Sequence, residues 1–333
     1  MMSLSFEQKD FPLAQVFRIA RGAKTKAQVV EVTLTQDGCI GHAESVPYAR
    51  YQESIDTVTS QLAYVQAKLA QGISLDNVLA SMAAGSAKNA IDCAYWDLKA
   101  KLHKKPVHQL LNLAQVDSCT TAQTLSIDTP ENMAKAAQKL NFPPLIKVKL
   151  DNESIIEKMQ AIHDASPNSQ FIVDANEGWS ITDLIECAPK LAELNVVLIE
   201  QPLATGHDQA LIDHDFPVAL CADESCHTRK DLAYLKGRYD AINIKLDKTG
   251  GLTEAMALAQ EATALGFELM VGCMVGTSLA MAPAYLLAGR AKYVDLDGPL
   301  LVAQDRPFGF NIQGGVMPAL DFRLWGGTSS DAY

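Results

Sequence analysis

Hydrophobic and polar positions follow two different patterns along this chain, one after the other. In the first pattern apolar residues alternate with polar ones over Ala27-Gln-Val-Val-Glu-Val-Thr-Leu34 and Ile40-Gly-His-Ala-Glu44. Asp37-Gly38 lies between these runs, and an Asp-Gly pair flanked by alternating strands predicts an antiparallel hairpin. Arg18-Ile-Ala-Arg-Gly-Ala-Lys-Thr-Lys26, ahead of the hairpin, reads as a basic loop, and Pro47-Tyr-Ala-Arg-Tyr51 follows it. The period then becomes helical over Glu53 to Ala70 and Ser86 to His103, the second segment presenting Ala90, Ile91, Ala94, Tyr95 and Leu98 on one face. Residues 1–115 are therefore expected to form an α+β unit.

From about Cys119 short continuous apolar runs alternate with helical segments. The runs are Thr120 to Ile127, Leu145 to Leu150, Phe171 to Asp174, Val196 to Glu200, Val218 to Asp223, Ala241 to Lys245, Glu268 to Gly272 and Tyr293 to Leu296. Helical patterns between them include Glu153 to Ala165, Ile181 to Leu194, Arg229 to Lys236 and Thr253 to Leu265. Continuous apolar strands separated by helices indicate parallel pairing with both faces covered, and eight in succession indicate a closed barrel. The expected fold is thus α/β, with a barrel over residues 116–301. After Leu301 the alternation stops, and residues 302–333 are expected to return to the first unit.

Composition narrows the partners. The chain has 333 residues, 48% of them hydrophobic, a net charge of -11 and a pI near 5.1. Such acidity argues against nucleic acid or an anionic membrane as the main partner. No basic region followed by an apolar run opens the chain, and the most membrane-like window, Leu269 to Gly289, is broken by Gly272, Gly276 and Pro283. Seven cysteines at no ligand-like spacing fit reduced thiols, most of them small core residues. A soluble, cytoplasmic protein is expected, and a homo-oligomer is compatible with this composition.

Charged residues recur where the strands end: Lys147 and Lys149, Asp174, Glu200, Asp223, Lys245, and Asp295 with Asp297. From Lys149 to Lys245 the intervals run from 22 to 26 residues, about one strand-helix unit each. The C-terminal strand ends of a barrel converge on one face, where active sites lie. Side chains alternate across a strand, so Lys147 and Lys149 share a side. On an exposed strand they would be solvated gatekeepers; inside a barrel their mutual repulsion would lower the pKa of at least one. Three carboxylates from adjacent strands, Asp174, Glu200 and Asp223, make a hard oxygen site suited to Mg²⁺, with Asn176 close by. Alternation turns Glu224 away from that site. Lys149 and Lys245 then face each other across the barrel mouth. A carbon acid beside a carboxylate needs its enediolate charge stabilised, here by Mg²⁺ and Lys147, and a lysine base brought from ~10.4 towards ~7–8. Two opposed bases imply inversion of a stereocentre.

These motifs, Lys147-Val-Lys149, Asp174-Ala-Asn176, Glu200-Gln-Pro202, Asp223-Glu-Ser225 and Asn243-Ile-Lys-Leu-Asp-Lys-Thr-Gly-Gly251, resemble the enolase superfamily in its muconate-lactonising subgroup. They span the barrel in order. The resemblance implies a (β/α)7β TIM-like barrel with an α+β capping domain completed by the C-terminal tail. It implies Asp174, Glu200 and Asp223 as metal ligands, Lys149 and Lys245 as the acid/base pair, and Lys147 as the cation at the enediolate. Lys248, three residues beyond Lys245, is assigned to the following loop. Val294-Asp-Leu-Asp-Gly-Pro299 resembles the Asp-x-Asp of dipeptide epimerases, so Asp295 and Asp297 are expected to hold a dipeptide's ammonium. Arg21 matches the capping-loop arginine that faces a glutamate side chain in L-Ala-D/L-Glu epimerases, and Arg18, Lys24 and Lys26 are read as solvated. Gly276, in Cys273-Met-Val-Gly-Thr277, departs from the acidic residue often found there. The implied reaction is an Mg²⁺-dependent 1,1-proton transfer at the Glu α-carbon of L-Ala-D-Glu and L-Ala-L-Glu, in murein peptide metabolism. A dipeptide epimerase of other specificity, a cycloisomerase and an o-succinylbenzoate synthase on the same scaffold are the alternatives.

Overall fold

The structure, a computed structural model, describes residues 2–19 and 22–328. Strands β1 (Ser3–Ile19), β2 (Gly22–Gln36) and β3 (Cys39–Ser45) form an antiparallel sheet. The β2–β3 turn places Asp37 and Gly38 at φ 51 and 78, the left-handed conformation that the Asp-Gly pair favours. β1 was not visible in the apolar pattern, and most of the basic stretch before Ala27 belongs to the paired arms of β1 and β2 rather than to a loop. Helices α1 (Ile55–Ala70), α2 (Leu75–Ser81) and α3 (Ser86–His103) cover this sheet. A capping box at Ser54 and Thr57 starts α1, and the buried face of α3 includes Ala90, Ile91, Ala94 and Leu98.

After a short strand β4 (Ser118–Thr120), eight parallel strands follow: β5 (Gln123–Leu125), β6 (Leu145–Lys149), β7 (Gln170–Asp174), β8 (Val196–Glu200), β9 (Ala219–Ala222), β10 (Ala241–Ile244), β11 (Glu268–Gly272) and β12 (Tyr293–Asp295). They pair in sequence order. Ala122 N donates to Val294 O at 2.8 Å, which draws the first and last strands together into a nearly closed barrel. The strand period of two sets what each side chain meets. Ile146, Val148, Phe171 and Val173 point outward to the helices and join the main core. Ala122, Leu145, Ile172, Leu198, Cys221, Ala241, Met270 and Tyr293 point inward and fill the lower barrel as a separate apolar cluster.

The segment after Leu301 packs on both layers. Ala303 N donates to Pro12 O at 2.8 Å, Trp325 Nε1 donates to Cys93 O at 3.2 Å, and Gly326 N donates to Asp97 Oδ1 at 2.7 Å. A last strand, β13 (Val316–Pro318), pairs with β4 beside the barrel. Arg306 meets Glu31 at 2.7 Å and Glu44 at 2.6 Å on the sheet and donates from Nε to Thr277 Oγ1 at 2.7 Å, so one guanidinium joins tail, sheet and barrel.

Candidate active site

Two residues beyond the apolar ring, the same strands or their ends carry a polar ring: the charged Lys147, Asp174, Glu200, Asp223 and Asp295 with the neutral Asn243, all buried. One step further lie Lys149, Asn176, Lys245 and Asp297. Lys147 and Lys149 are thus inside the barrel, and the edge-strand reading is excluded. A cavity of about 470 Å³ opens above them, walled on the other side by Phe17, Lys24, Tyr48, Arg50 and Tyr51 of the first domain.

The ammonium and carboxylate groups are interleaved. Lys147 Nζ lies 2.6 Å from Glu200 Oε2, 2.7 Å from Asp295 Oδ2 and 3.1 Å from Asp174 Oδ2. Lys149 Nζ meets Asp174 Oδ2 at 2.5 Å, and Lys245 Nζ meets Asp223 Oδ2 at 2.6 Å. Burial disfavours the charged form of each group, yet the partners decide the outcome. Burial would raise Asp174, but Lys149 and Lys147 hold it below the ordinary carboxylate range. Asp223 is held far down in the same way by Lys245 and Lys248. Glu200 goes the other way: burial and the charge of Asp174 outweigh Lys147 and push it up to about 8. Burial would likewise depress Lys147 and Lys245, but the surrounding carboxylates raise both well above the ordinary lysine value. For Lys147 this is opposite to the lowering that a neighbouring cation produces, because Lys147 faces three carboxylates within 3.1 Å.

Several supporting residues escaped the sequence reading. β9 ends at Ala222, so strand alternation no longer governs the next two residues, and both Asp223 and Glu224 line the cavity. Asn176 Nδ2 is 3.4 Å from Glu224 Oε1. Lys248 sits in a helical turn, Leu246–Thr249, rather than in a loop. Its Nζ donates to Asp223 Oδ1 at 2.6 Å and to Asn243 O at 2.9 Å. Asn243 Nδ2 donates to Glu200 Oε1 at 2.8 Å. A Cβ on Gly272 would come within 2.6 Å of the Asn243 side chain, so glycine leaves room for that contact. Gln201 Oε1 accepts from Asp223 N at 2.9 Å and Ser225 N at 3.0 Å, tying the Glu-Gln-Pro motif to the Asp-Glu-Ser motif.

At the last strand Asp295 turns to Lys147, and Asp297 Oδ2 accepts from Thr124 N at 2.6 Å. Burial, reinforced by the charge of Asp295, pushes Asp297 up to about 7. Lys24 is exposed, as expected of it, and also lines the cavity mouth with its Nζ 5.1 Å from the Tyr48 ring centre. Arg21 lies outside the described residues. Cys273 also lines the cavity, so it is not simply a core thiol. Gly276 has a packing reason: a Cβ there would meet Glu44 Oε1 at 3.0 Å and Val46 at 3.1 Å.

Among the described residues no three carboxylate, imidazole or thiol groups already converge as a metal site, because the carboxylates turn to ammonium groups. The donor set nevertheless fits a hard cation. Asp174, Glu200 and Asp223 are three buried carboxylates on successive strand ends. The buried Glu200 Oε2, although 2.6 Å from Lys147 Nζ, makes no aligned hydrogen bond.

Family models match both parts of this architecture: the enolase C-terminal domain-like model over residues 131–317, and the mandelate racemase/muconate lactonizing enzyme N-terminal domain over residues 2–112. The chain belongs to the enolase superfamily. It is 53% identical over 301 residues to an N-acetyl-D-glutamate racemase from Pseudoalteromonas sp, covering 90% of this chain and 95% of that one. It is 44% identical over 324 residues to an L-Ala-D/L-Glu epimerase from Escherichia coli (strain K12), covering 97% and 98%. A solved structure of an enolase family member from Agrobacterium tumefaciens with homology to dipeptide epimerases, with bound sodium and L-Ala-L-Glu, superposes with a TM-score of 0.94 at 43% identity, covering 98% of this chain and 100% of that one. The chain is accordingly an isomerase of the epimerase and racemase class.

Proposed function

We propose that this enzyme epimerises the glutamate α-carbon of L-Ala-D-Glu and L-Ala-L-Glu. In this reading Asp174, Glu200 and Asp223 hold Mg²⁺, with Asn176 supporting Asp174 through its backbone N–H, 2.9 Å from Oδ1. When bound, Mg²⁺ would take up carboxylate charge and stabilise the negative charge that develops on the substrate carboxylate. Lys149 on β6 and Lys245 just beyond β10 act in turn: one, as the neutral amine, removes the α-proton to leave the enediolate, and the other, as the ammonium, then delivers its proton to the opposite face. Lys147 lies among the carboxylates and supplies positive charge to that enediolate. The role of Arg21 towards the glutamate side-chain carboxylate rests on the family resemblance, and Lys24 is a cation that lines the cavity. Use of peptides released from murein rests on that resemblance as well.

The observation that carries the dipeptide reading is the pair Asp295 and Asp297. Asp295 is already paired with Lys147, and the buried Asp297 beside it, pushed up to about 7 by burial and the Asp295 charge, would be relieved by a further cation, which a dipeptide's free ammonium is. Cycloisomerase and o-succinylbenzoate synthase substrates carry no ammonium there. A second reading is favoured by the relative at 53% identity. N-acetylglutamate and alanylglutamate are both N-acylated glutamates, and they differ by that ammonium and by the methyl group beside it.

Turnover of L-Ala-L-Glu, L-Ala-D-Glu and N-acetyl-D-glutamate by the purified enzyme with Mg²⁺ decides between them. We expect kcat/KM for the dipeptides to exceed that for N-acetyl-D-glutamate by about a hundredfold, equivalent to roughly 2.7 kcal/mol of discrimination at the ammonium. Asp297→Asn should narrow the gap, and EDTA should stop turnover until Mg²⁺ is restored. Preference for the N-acetyl compound would overturn the dipeptide assignment.

A further inference from the structure

The capping-domain turn Tyr48–Tyr51 walls the cavity with four consecutive residues, although it belongs to a different domain from the lysines and carboxylates. The barrel residue Glu177 ties it there. Arg50 Nε donates to Glu177 Oε2 at 2.6 Å and its Nη2 donates to Glu177 Oε1 at 2.7 Å, a bidentate fork. Glu177 Oε1 also accepts from Thr205 N at 2.9 Å and Thr205 Oγ1 at 2.8 Å. One carboxylate therefore joins the capping turn to the loops that follow β7 and β8, the strands ending in Asp174 and Glu200. Asn176 and Glu177 both take up left-handed backbone, φ 46 and 69, which residues with side chains rarely adopt. On the other side of the turn, Tyr51 packs edge-on against His227 of the loop after Asp223, ring centres 4.5 Å apart.

We propose that Glu177 and Arg50 form a latch that positions the Tyr48–Tyr51 turn over the mouth of the site, making Glu177 a positioning residue for substrate binding. An isolated exposed ion pair would contribute little, but this one is bidentate, its carboxylate is nearly buried and it serves three segments. The latch acts through Tyr48 and Tyr51 and so bears on binding rather than on the proton transfers lower in the barrel. As a statement about substrate, this rests on the functional reading above.

The test compares Arg50→Ala, Glu177→Gln, the double variant and Arg50→Lys with wild type in two measurements. Steady-state kinetics with L-Ala-L-Glu should show KM raised about tenfold in each of the first two, kcat within threefold of wild type, and the double variant no worse than either single one. Arg50→Lys, which keeps the charge and loses the fork, should fall between. Hydrogen exchange of the substrate-free proteins should show the amides of Tyr51, Gln52 and Glu53 exchanging about tenfold faster in the first two variants. Unchanged KM in Glu177→Gln, or effects of the two substitutions that multiply in the double variant, would overturn the latch, the latter by showing Arg50 acting on substrate directly. If wild type turns over none of the tested substrates, the functional reading fails and exchange alone decides: unchanged amide rates overturn the latch, faster rates support it.

Discussion

Two rings of side chains lie one above the other inside the same barrel and differ in almost every physical respect. Leu145, Ile172, Leu198, Cys221 and Tyr293 make the lower ring dry and apolar. Two residues later on the same strands, Lys147, Asp174, Glu200, Asp223 and Asp295 make the upper ring a buried lattice of charge. The lower ring gains stability from area removed from water, at roughly 25 cal/mol per Å². The upper ring loses solvation that its internal pairs recover only in part, as the opposite fates of Asp174 and Glu200 show. The dry ring and the charged ring are thus separated by one strand repeat, about 7 Å along each strand.

Strand β8 allows the contrast to be broken on a single element. Glu200→Gln, in the upper ring, should lower epimerisation on the order of 10³-fold or more while changing folding stability by less than about 1 kcal/mol, since burial already favours the neutral form there. Leu198→Ala, two residues earlier and fully buried, should cost about 2–5 kcal/mol in urea unfolding yet leave kcat of the folded enzyme within a few-fold. The reverse pattern would erase the distinction between the rings.

A smaller, pH-dependent effect sharpens it. Asp247, between Lys245 and Lys248, is pushed up to about 7 by burial, against the hydrogen bonds from Val46 N and Asn89 Nδ2 that lower it. Between about pH 4 and pH 7 the folded state keeps a proton that the unfolded state has lost, so this group makes stability fall as pH rises through that window. Asp247→Asn does not titrate there. Its advantage over wild type should grow from near zero at about pH 4 to about 2–4 kcal/mol at about pH 8, followed by unfolding at each pH. A Leu198→Ala difference measured the same way should stay flat with pH.

Strands and strand-end charges were legible because both are periodic in the chain: apolar runs recur with each strand-helix unit, and alternation carries Leu145, Lys147 and Lys149 to one side. What periodicity does not encode was missed. β1 buries little beyond Leu4 and Phe17 and is held by pairing with β2 rather than by its own apolar pattern. α2 is seven residues long, too short to show a helical stripe. Lys248 reaches Asp223 only because the chain coils back after β10, and Glu224 faces the cavity because β9 stops one residue before Asp223. The latch joins residues 127 positions apart, Arg50 and Glu177, which no local pattern connects. Charge balance across the upper ring also lay beyond the sequence: two lysines close in number suggested a lowered pKa, whereas the carboxylates that fold around Lys147 raise it.

The most direct measurement follows the Glu α-proton of L-Ala-L-Glu and L-Ala-D-Glu by proton NMR in D₂O with Mg²⁺, for wild type, Lys149→Ala and Lys245→Ala. Wild type should lose the α-proton signal and build up the second diastereomer. Each lysine variant should stop epimerisation yet still exchange the α-proton of one diastereomer, a different one for each variant. Epimerisation at the wild-type rate by both variants would contradict proton transfer by the two lysines that lie one step above the upper ring.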